Sequence, residues 1–213
     1  MRQTNEVAEN VAKFLLQVKA VKLSPQKPFT WASGWKSPIY CDNRLTLSYP
    51  QIRTYIRQEF VKMIQEEIGH IDVVVGVATG GIAIGALVAQ EMGMPFAYVR
   101  SAAKGHGLTN LIEGVVESGQ RVVVIEDLIS TGGSSMKAVE ALREAKCDVK
   151  GIIAIFNYGF DVAKKRFEDA NCRMLSLSDY NALIEYAITS DYITKKDYNS
   201  LKNWREDPAN WKK

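Results

Sequence analysis

The chain is predicted to fold as α/β, with a central, mainly parallel sheet flanked by helices on both faces. Two observations carry this. Apolar runs at 71–77, 95–99, 122–125, 149–156 and 174–177 alternate with longer stretches of helical periodicity, and strands joined through helices pack side by side in parallel. In the third run, Val122 to Ile125, four β-branched residues stand in a row. That pattern suits a strand covered on both faces, not one with a wet side.

Each element has its own local reason. Val7, Val11, Phe14 or Leu15, and Val18 recur at helical spacing, so the first segment reads as an amphipathic helix. Residues 29–47 follow Pro28 and contain Gly34 and Pro38, which suits short strands and turns. Ser48 is placed to cap a helix running to about 68, with Pro50 in its first turn. Helices at 81–92, 136–146, 161–170 and 178–188 each come after a strand. The alternation breaks at 104–110, where Lys104, His106 and glycines displace apolar periodicity; so polar a loop within a compact domain is a candidate lid. Residues 204–213 are polar with two tryptophans and receive no functional reading.

Length and composition bound the function. The 213 residues suffice for one well-buried core, and 1–213 is read as a single domain. The formal charge is +3 and the basic residues are spread, which argues against a nucleic-acid stripe while suiting an anionic substrate. No stretch is long and apolar enough to span a membrane, and Glu6 and Glu9 make the amino terminus unlike a signal peptide. Cys41, Cys147 and Cys172 are odd in number and widely spaced, so they read as reduced thiols of a cytoplasmic protein.

The chemistry concentrates after the valine run. Glu126 and Asp127 sit where the strand is expected to end, the edge at which open α/β sheets bind ligands. Ser130, Thr131, Gly132, Gly133, Ser134 and Ser135 then open the next helix, supplying backbone N–H groups and hydroxyls for a phosphate. No Gly-Lys-Ser/Thr closes this turn, so it is not a Walker A loop. Such residues also cap ordinary helices; their density after a buried strand is what points to function. Carboxylates for sugar hydroxyls beside a phosphate cradle indicate a phosphorylated ribose.

Val122-Val-Val-Ile-Glu-Asp-Leu-Ile-Ser-Thr-Gly-Gly-Ser-Ser135 resembles the motif with which type I phosphoribosyltransferases bind phosphoribosyl pyrophosphate (PRPP). Tyr98-Val-Arg-Ser-Ala-Ala-Lys-Gly-His-Gly107 resembles the mobile catalytic loop of the orotate-specific members. Phe29-Thr-Trp-Ala-Ser-Gly-Trp-Lys-Ser-Pro-Ile-Tyr-Cys-Asp-Asn-Arg44 resembles their amino-terminal segment. The resemblance implies the type I fold, with about residues 1–45 forming a small hood. It implies transfer of 5-phosphoribose from PRPP to orotate, giving orotidine 5-monophosphate and pyrophosphate in pyrimidine (UMP) synthesis. Mg²⁺ is the implied cofactor, held mainly by PRPP and water with help from Glu126 and Asp127. The implied assembly is a homodimer whose loop 100–110 reaches the neighbouring site, with no nucleic-acid or membrane partner.

Roles follow residue by residue from the same resemblance. Arg100, Lys104 and His106 contact pyrophosphate, Lys104 as the main electrostatic stabiliser; Glu126 and Asp127 hold the ribose. PRPP is further lined by Leu128, Ile129, Ser130, Thr131, Gly132, Gly133 and Ser134, and by Thr79 and Gly80 of a second βα turn. Ser130 also reaches the base. Many relatives carry Lys where Ala32, Gly80 and Ser101 stand here, and an Arg for the orotate carboxylate where Phe160 stands; others share the variant residues. Arg44 and Lys36 are then the nearest cationic candidates for that carboxylate. A purine phosphoribosyltransferase or a PRPP-sensing regulator would share the PRPP motif, but residues 29–44 and the Lys104-Gly-His106 loop favour orotate.

Overall fold

The structure, a computed structural model, describes residues 2–31, 34–101 and 111–211. Helix α1 (Arg2–Gln17) leads to four short strands, β1 (Val21–Leu23), β2 (Phe29–Thr30), β3 (Lys36–Ser37) and β4 (Ile39–Cys41). β1 pairs antiparallel with β4, and β2 with β3, giving two small ribbons. A 3-10 turn (Asn43–Ser48) and α2 (Pro50–Met63), prolonged by a π turn (Ile64–Ile68), lead to the main sheet. Then come β5 (Val73–Val77), α3 (Gly80–Met92), β6 (Phe96–Val99), β7 (Ile112–Glu113) and β8 (Arg121–Ile129). The chain continues through α4 (Gly133–Glu144), β9 (Asp148–Asn157), α5 (Asp161–Asp169), β10 (Met174–Asp179), α6 (Tyr180–Thr189) and α7 (Lys195–Glu206).

The sheet runs β10–β9–β8–β5–β6–β7, with every neighbouring pair parallel except β6 and β7. The chain builds outward from β5 in one direction and from β8 in the other. These two adjacent strands are thus where the connections diverge, which leaves a crevice beyond their carboxyl ends. Both are buried on two faces, as the valine run requires. Val74, Val123 and Ile125 enter a core with α1, α2, α3 and α6, while Val73, Val75, Val122 and Val124 enter one with α4 and α5. Helix α3 approaches so closely that a Cβ on Gly81 would stand 2.3 Å from the carbonyl oxygen of Ile125.

The structure differs from the sequence expectations in four places. β8 does not stop at Ile125, because β9 keeps pairing with it: Glu126 faces Ala154, Leu128 faces Phe156 and Ile129 faces Asn157. Ser48 does not cap α2; it ends the 3-10 turn, and Tyr49 takes the cap position without a side-chain bond. Among the first 45 residues, α1 belongs to the layer covering the sheet, burying Val11, Ala12 and Leu15, while the ribbons β1–β4, the hood, add Val21 and Ile39 to the same core. Finally, residues 195–206 form an additional helix, α7, opened by a capping box in which Thr194 and Asp197 bond reciprocally. The expected lid at 104–110 lies outside the described residues, but its flanks are fastened together by Arg100 N–H donating to the Leu111 carbonyl at 2.8 Å.

Candidate active site

The acid pair sits inside β8, not beyond it. Glu126 is 4% exposed; it accepts from the Ser135 hydroxyl at 2.9 Å and from the backbone N–H of Asp127 at 3.1 Å. Burial, reinforced by the charge of Asp127, pushes its carboxyl up to about 9. Burial raises Asp127 too, opposed in part by its hydrogen bonding with Glu126 and the backbone and, to a lesser extent, by the Arg44 guanidinium. The pair is therefore short of positive charge, a state that a bound cation relieves. A carboxyl raised from 4.5 to about 9 on folding stabilises the fold fully below pH 4.5 and loses that contribution as pH rises through 9. The ligand-free protein is expected to lose thermal stability across that window, and Glu126→Gln to flatten the decline. Parallel melting curves would reject the buried-carboxyl reading.

The phosphate turn is shaped from behind. Gly132 adopts φ +74°, in the left-handed region that favours glycine. A Cβ there would meet the Phe167 ring at 2.8 Å. Gly132 also caps α4 without any side-chain bond, so the first N–H groups of the helix remain for a ligand. Arg166 of α5 donates from Nη1 to the Thr131 carbonyl at 2.6 Å and holds the turn open. Across the crevice, the turn after β5 carries exposed Thr79 and then Gly80. Gly80 lets the Asp127 carboxyl lie against backbone: a Cβ there would fall 2.1 Å from Asp127 Cγ. The two βα turns and the acid pair thus converge on one place.

The hood closes the third side. Asn43, only 1% exposed, donates from Nδ2 to the Asp127 carbonyl at 2.6 Å, tying the chain after the ribbons to β8. A cavity of about 280 Å³ remains between hood and sheet, lined by Thr30, Trp31, Tyr40, Cys41, Leu128, Ser130 and Tyr158. Trp31 packs on Tyr158 and Trp204 at 5.4 and 5.6 Å and donates from Nε1 to the Ile39 carbonyl at 3.2 Å. The cavity is a largely apolar slot walled by aromatic rings, with Ser130 as a polar group close in sequence to the acid pair, which suits a heterocycle.

Most of the residues expected from sequence meet here, though not all in the expected way. Gly80, Glu126, Asp127, Ser130, Thr131, Gly132, Gly133 and Ser134 border the crevice, and Leu128 lines the cavity beside it. Ile129 turns its side chain fully into the core, and its carbonyl accepts from the Tyr158 N–H at 3.0 Å. Arg100, at the end of β6, faces Glu113 at 3.5 Å. Lys36 is exposed and donates to the Thr30 hydroxyl at 3.0 Å. Arg44 holds Asp42 in a two-point ion pair, 2.7 Å from Nε and 2.9 Å from Nη2. Phe160 stacks on Tyr158 at 5.4 Å, inside the aromatic cluster. Lys104 and His106 lie outside the described residues. Sequence reasoning missed Asn43 and Arg166, whose partners are distant in the chain.

A divergence point between β5 and β8, two phosphate-ready turns and an acid pair beside a hooded slot define a type I phosphoribosyltransferase. Residues 48–191 match the phosphoribosyl transferase domain family. Over 200 residues the chain is 54% identical to the orotate phosphoribosyltransferase of Phocaeicola vulgatus, covering 94% of each protein. It is 53% identical over 207 residues to that of Listeria innocua, covering 97% of this chain and 99% of the relative. The crystal structure of orotate phosphoribosyltransferase from Aeropyrum pernix superposes with a TM-score of 0.75 at 28% identity, covering 86% of this chain and 99% of the other. The chain belongs to the orotate phosphoribosyltransferase family.

Proposed function

We propose that this site transfers 5-phosphoribose from PRPP to orotate, releasing pyrophosphate and forming orotidine 5-monophosphate. The observation that carries the reading is the cavity at Ser130, Trp31 and Tyr158, whose wall residues Leu128 and Ser130 follow directly on Asp127, itself packed against Gly80 of the other βα turn. PRPP would lay its 5-phosphate on the N–H groups of Gly133 and Ser134 and its ribose hydroxyls on Glu126 and Asp127, leaving C1 toward the slot. Orotate would enter the slot with Ser130 as a hydrogen-bond partner. The bond from C1 to pyrophosphate breaks as the ring nitrogen arrives, and negative charge grows on the leaving oxygen. Arg100, Lys104, His106 and the turn at Thr79 and Gly80 would receive that charge. Glu126 and Asp127 would hold Mg²⁺ together with PRPP oxygens and water, the ion screening the charge of the departing pyrophosphate. The test is release of pyrophosphate from PRPP with orotate, hypoxanthine, guanine and adenine in parallel; release with a purine and none with orotate overturns the reading.

Asp127→Asn keeps the hydrogen-bonding shape and removes the charge near ribose and cation. The expected result is a higher PRPP Michaelis constant with the fold retained, and unchanged PRPP saturation would remove Asp127 from ribose binding.

The cavity's described lining contains no cation, so the orotate carboxylate needs a partner from its rim. Arg44 is the first choice, because a guanidinium can meet a carboxylate with two parallel bonds. Its pairing with Asp42 is exposed and therefore cheap to exchange. Arg44→Ala is expected to raise the Michaelis constant for orotate selectively; an effect on PRPP alone, or on stability alone, would assign the carboxylate elsewhere, Lys36 being next in line.

We further propose a homodimer in which loop 100–110 serves the neighbouring site, and a cytoplasmic location. Support comes from the membership of the family and, for location, from three free cysteines. Among the described residues no helix is long and apolar enough to cross a membrane.

A further inference from the structure

The hood and helix α7 both lie outside residues 48–191, the part matching the general phosphoribosyl transferase domain, and they touch each other at several points. At the start of α7, Gln26 donates from Nε2 to Asp197 at 2.9 Å, and Asp197 is the same residue that closes the capping box with Thr194. At its end, Trp204 is 0% exposed and donates from Nε1 to the Lys36 carbonyl of β3 at 3.2 Å. The Trp204 ring also meets Trp31 edge-on at 5.6 Å and Phe160 at 5.5 Å. One residue on, Arg205 donates from Nη2 to the Gly159 carbonyl at 3.0 Å. Gly159 has φ +68° and lies between Tyr158, a wall of the cavity, and Phe160. Between these ends, the Tyr180 hydroxyl donates to the Leu201 carbonyl at 3.0 Å and seats the helix on α6.

We propose that α7 is a strut that fixes the spacing of the two walls of the base cavity, and that Trp204 is a positioning residue determining affinity for the base. Trp204 is fully buried and is not among the cavity's lining residues. It acts by holding Trp31 and the β2–β3 ribbon on one side, while Arg205 holds the turn after Tyr158 on the other. Among the described residues, the side-chain bonds that hold the phosphate turn and the acid pair come from Arg166, Ser135 and Asn43 and not from α7. Loosening the strut therefore widens the slot without disturbing the PRPP half of the site. The inference rests on the slot being the place of orotate.

Trp204→Phe keeps an aromatic ring and removes the N–H that reaches Lys36; Arg205→Gln shortens the reach to Gly159. Steady-state kinetics of both variants, with equilibrium binding of orotidine 5-monophosphate and a melting curve for each, decide the matter. The expected result is an increase of about threefold to tenfold in the orotate Michaelis constant, the loss of one or two hydrogen bonds' worth of positioning. The PRPP constant should stay within about twofold of wild type, since its half of the site is separately held. An unchanged orotate constant, or orotate and PRPP constants rising together with a fall in melting temperature, would make α7 a merely structural element and overturn the proposal. Wild-type protein assayed alongside separates the two readings: if it uses another base and not orotate, the assignment of the slot fails, and the strut is judged by that base's constant in the same variants.

Discussion

Lys104→Ala is expected to lower turnover by about 2–4 kcal/mol of barrier, or roughly 30-fold to 1000-fold, while changing PRPP affinity far less. The reason lies in timing. Pyrophosphate bears most of its charge before the bond to ribose breaks, but the oxygen that leaves gains charge only as it departs. A cation aimed at that oxygen stabilises the transition state more than the bound substrate. Lys104 lies beyond the described residues. The chain leaves the sheet just before it at Arg100 and returns at Leu111, the two joined by a backbone bond of 2.8 Å at the edge of the crevice. Turnover under saturating substrates, paired with equilibrium PRPP binding, separates the two effects. Near-normal turnover in the variant would remove Lys104 from the chemistry.

Gly81→Ala is expected to destabilise the protein by about 1–3 kcal/mol, the usual cost of forcing extra volume into a close-packed contact. The obstacle is backbone, not a side chain that can swing aside: the new methyl would lie 2.3 Å from the Ile125 carbonyl oxygen. Relief requires α3 to move off β8, and α3 begins at Gly80, whose backbone supports the Asp127 carboxyl. PRPP use should therefore suffer together with stability. Denaturant unfolding and PRPP saturation measured on the same sample test both halves. Wild-type stability in the variant would mean that α3 and β8 do not meet through their backbones.

What could be read from sequence alone was whatever has a local cause. The run from Val122 to Ile125 announces a doubly covered strand because β-branched side chains without polar alternation suit little else. Glu126, Asp127 and the turn at Ser130 follow directly from it. The prolongation of β8 through Ile129 could not be read, since it depends on pairing with residues up to Asn157 of another strand. Arg166 reaching Thr131, 35 positions away, and Asn43 reaching Asp127, 84 positions away, leave no local trace. Helix α7 was missed for a different reason. It buries only Leu201 and Trp204, so its periodicity is faint, although Thr194 with Asp197 three residues later is a capping signal. The base side of the site was the least legible part, because its walls come from the hood, the strand ends and α7 at once.

The two halves of the site draw on different stretches of the chain. Domains generally fold as units, and within this one the acid pair and the phosphate turn come from neighbouring elements, β8 and α4. The ribbon carrying Trp31 and Lys36 emerges early, yet its partner Trp204 comes more than a hundred and fifty residues later. Trp204 gives the hood its anchor for the Lys36 carbonyl and Tyr158 one of the rings packed around it. The base half of the site is therefore closed by the two ends of the chain together, whereas the acid pair and the phosphate turn follow one another within a single stretch from β8 to α4.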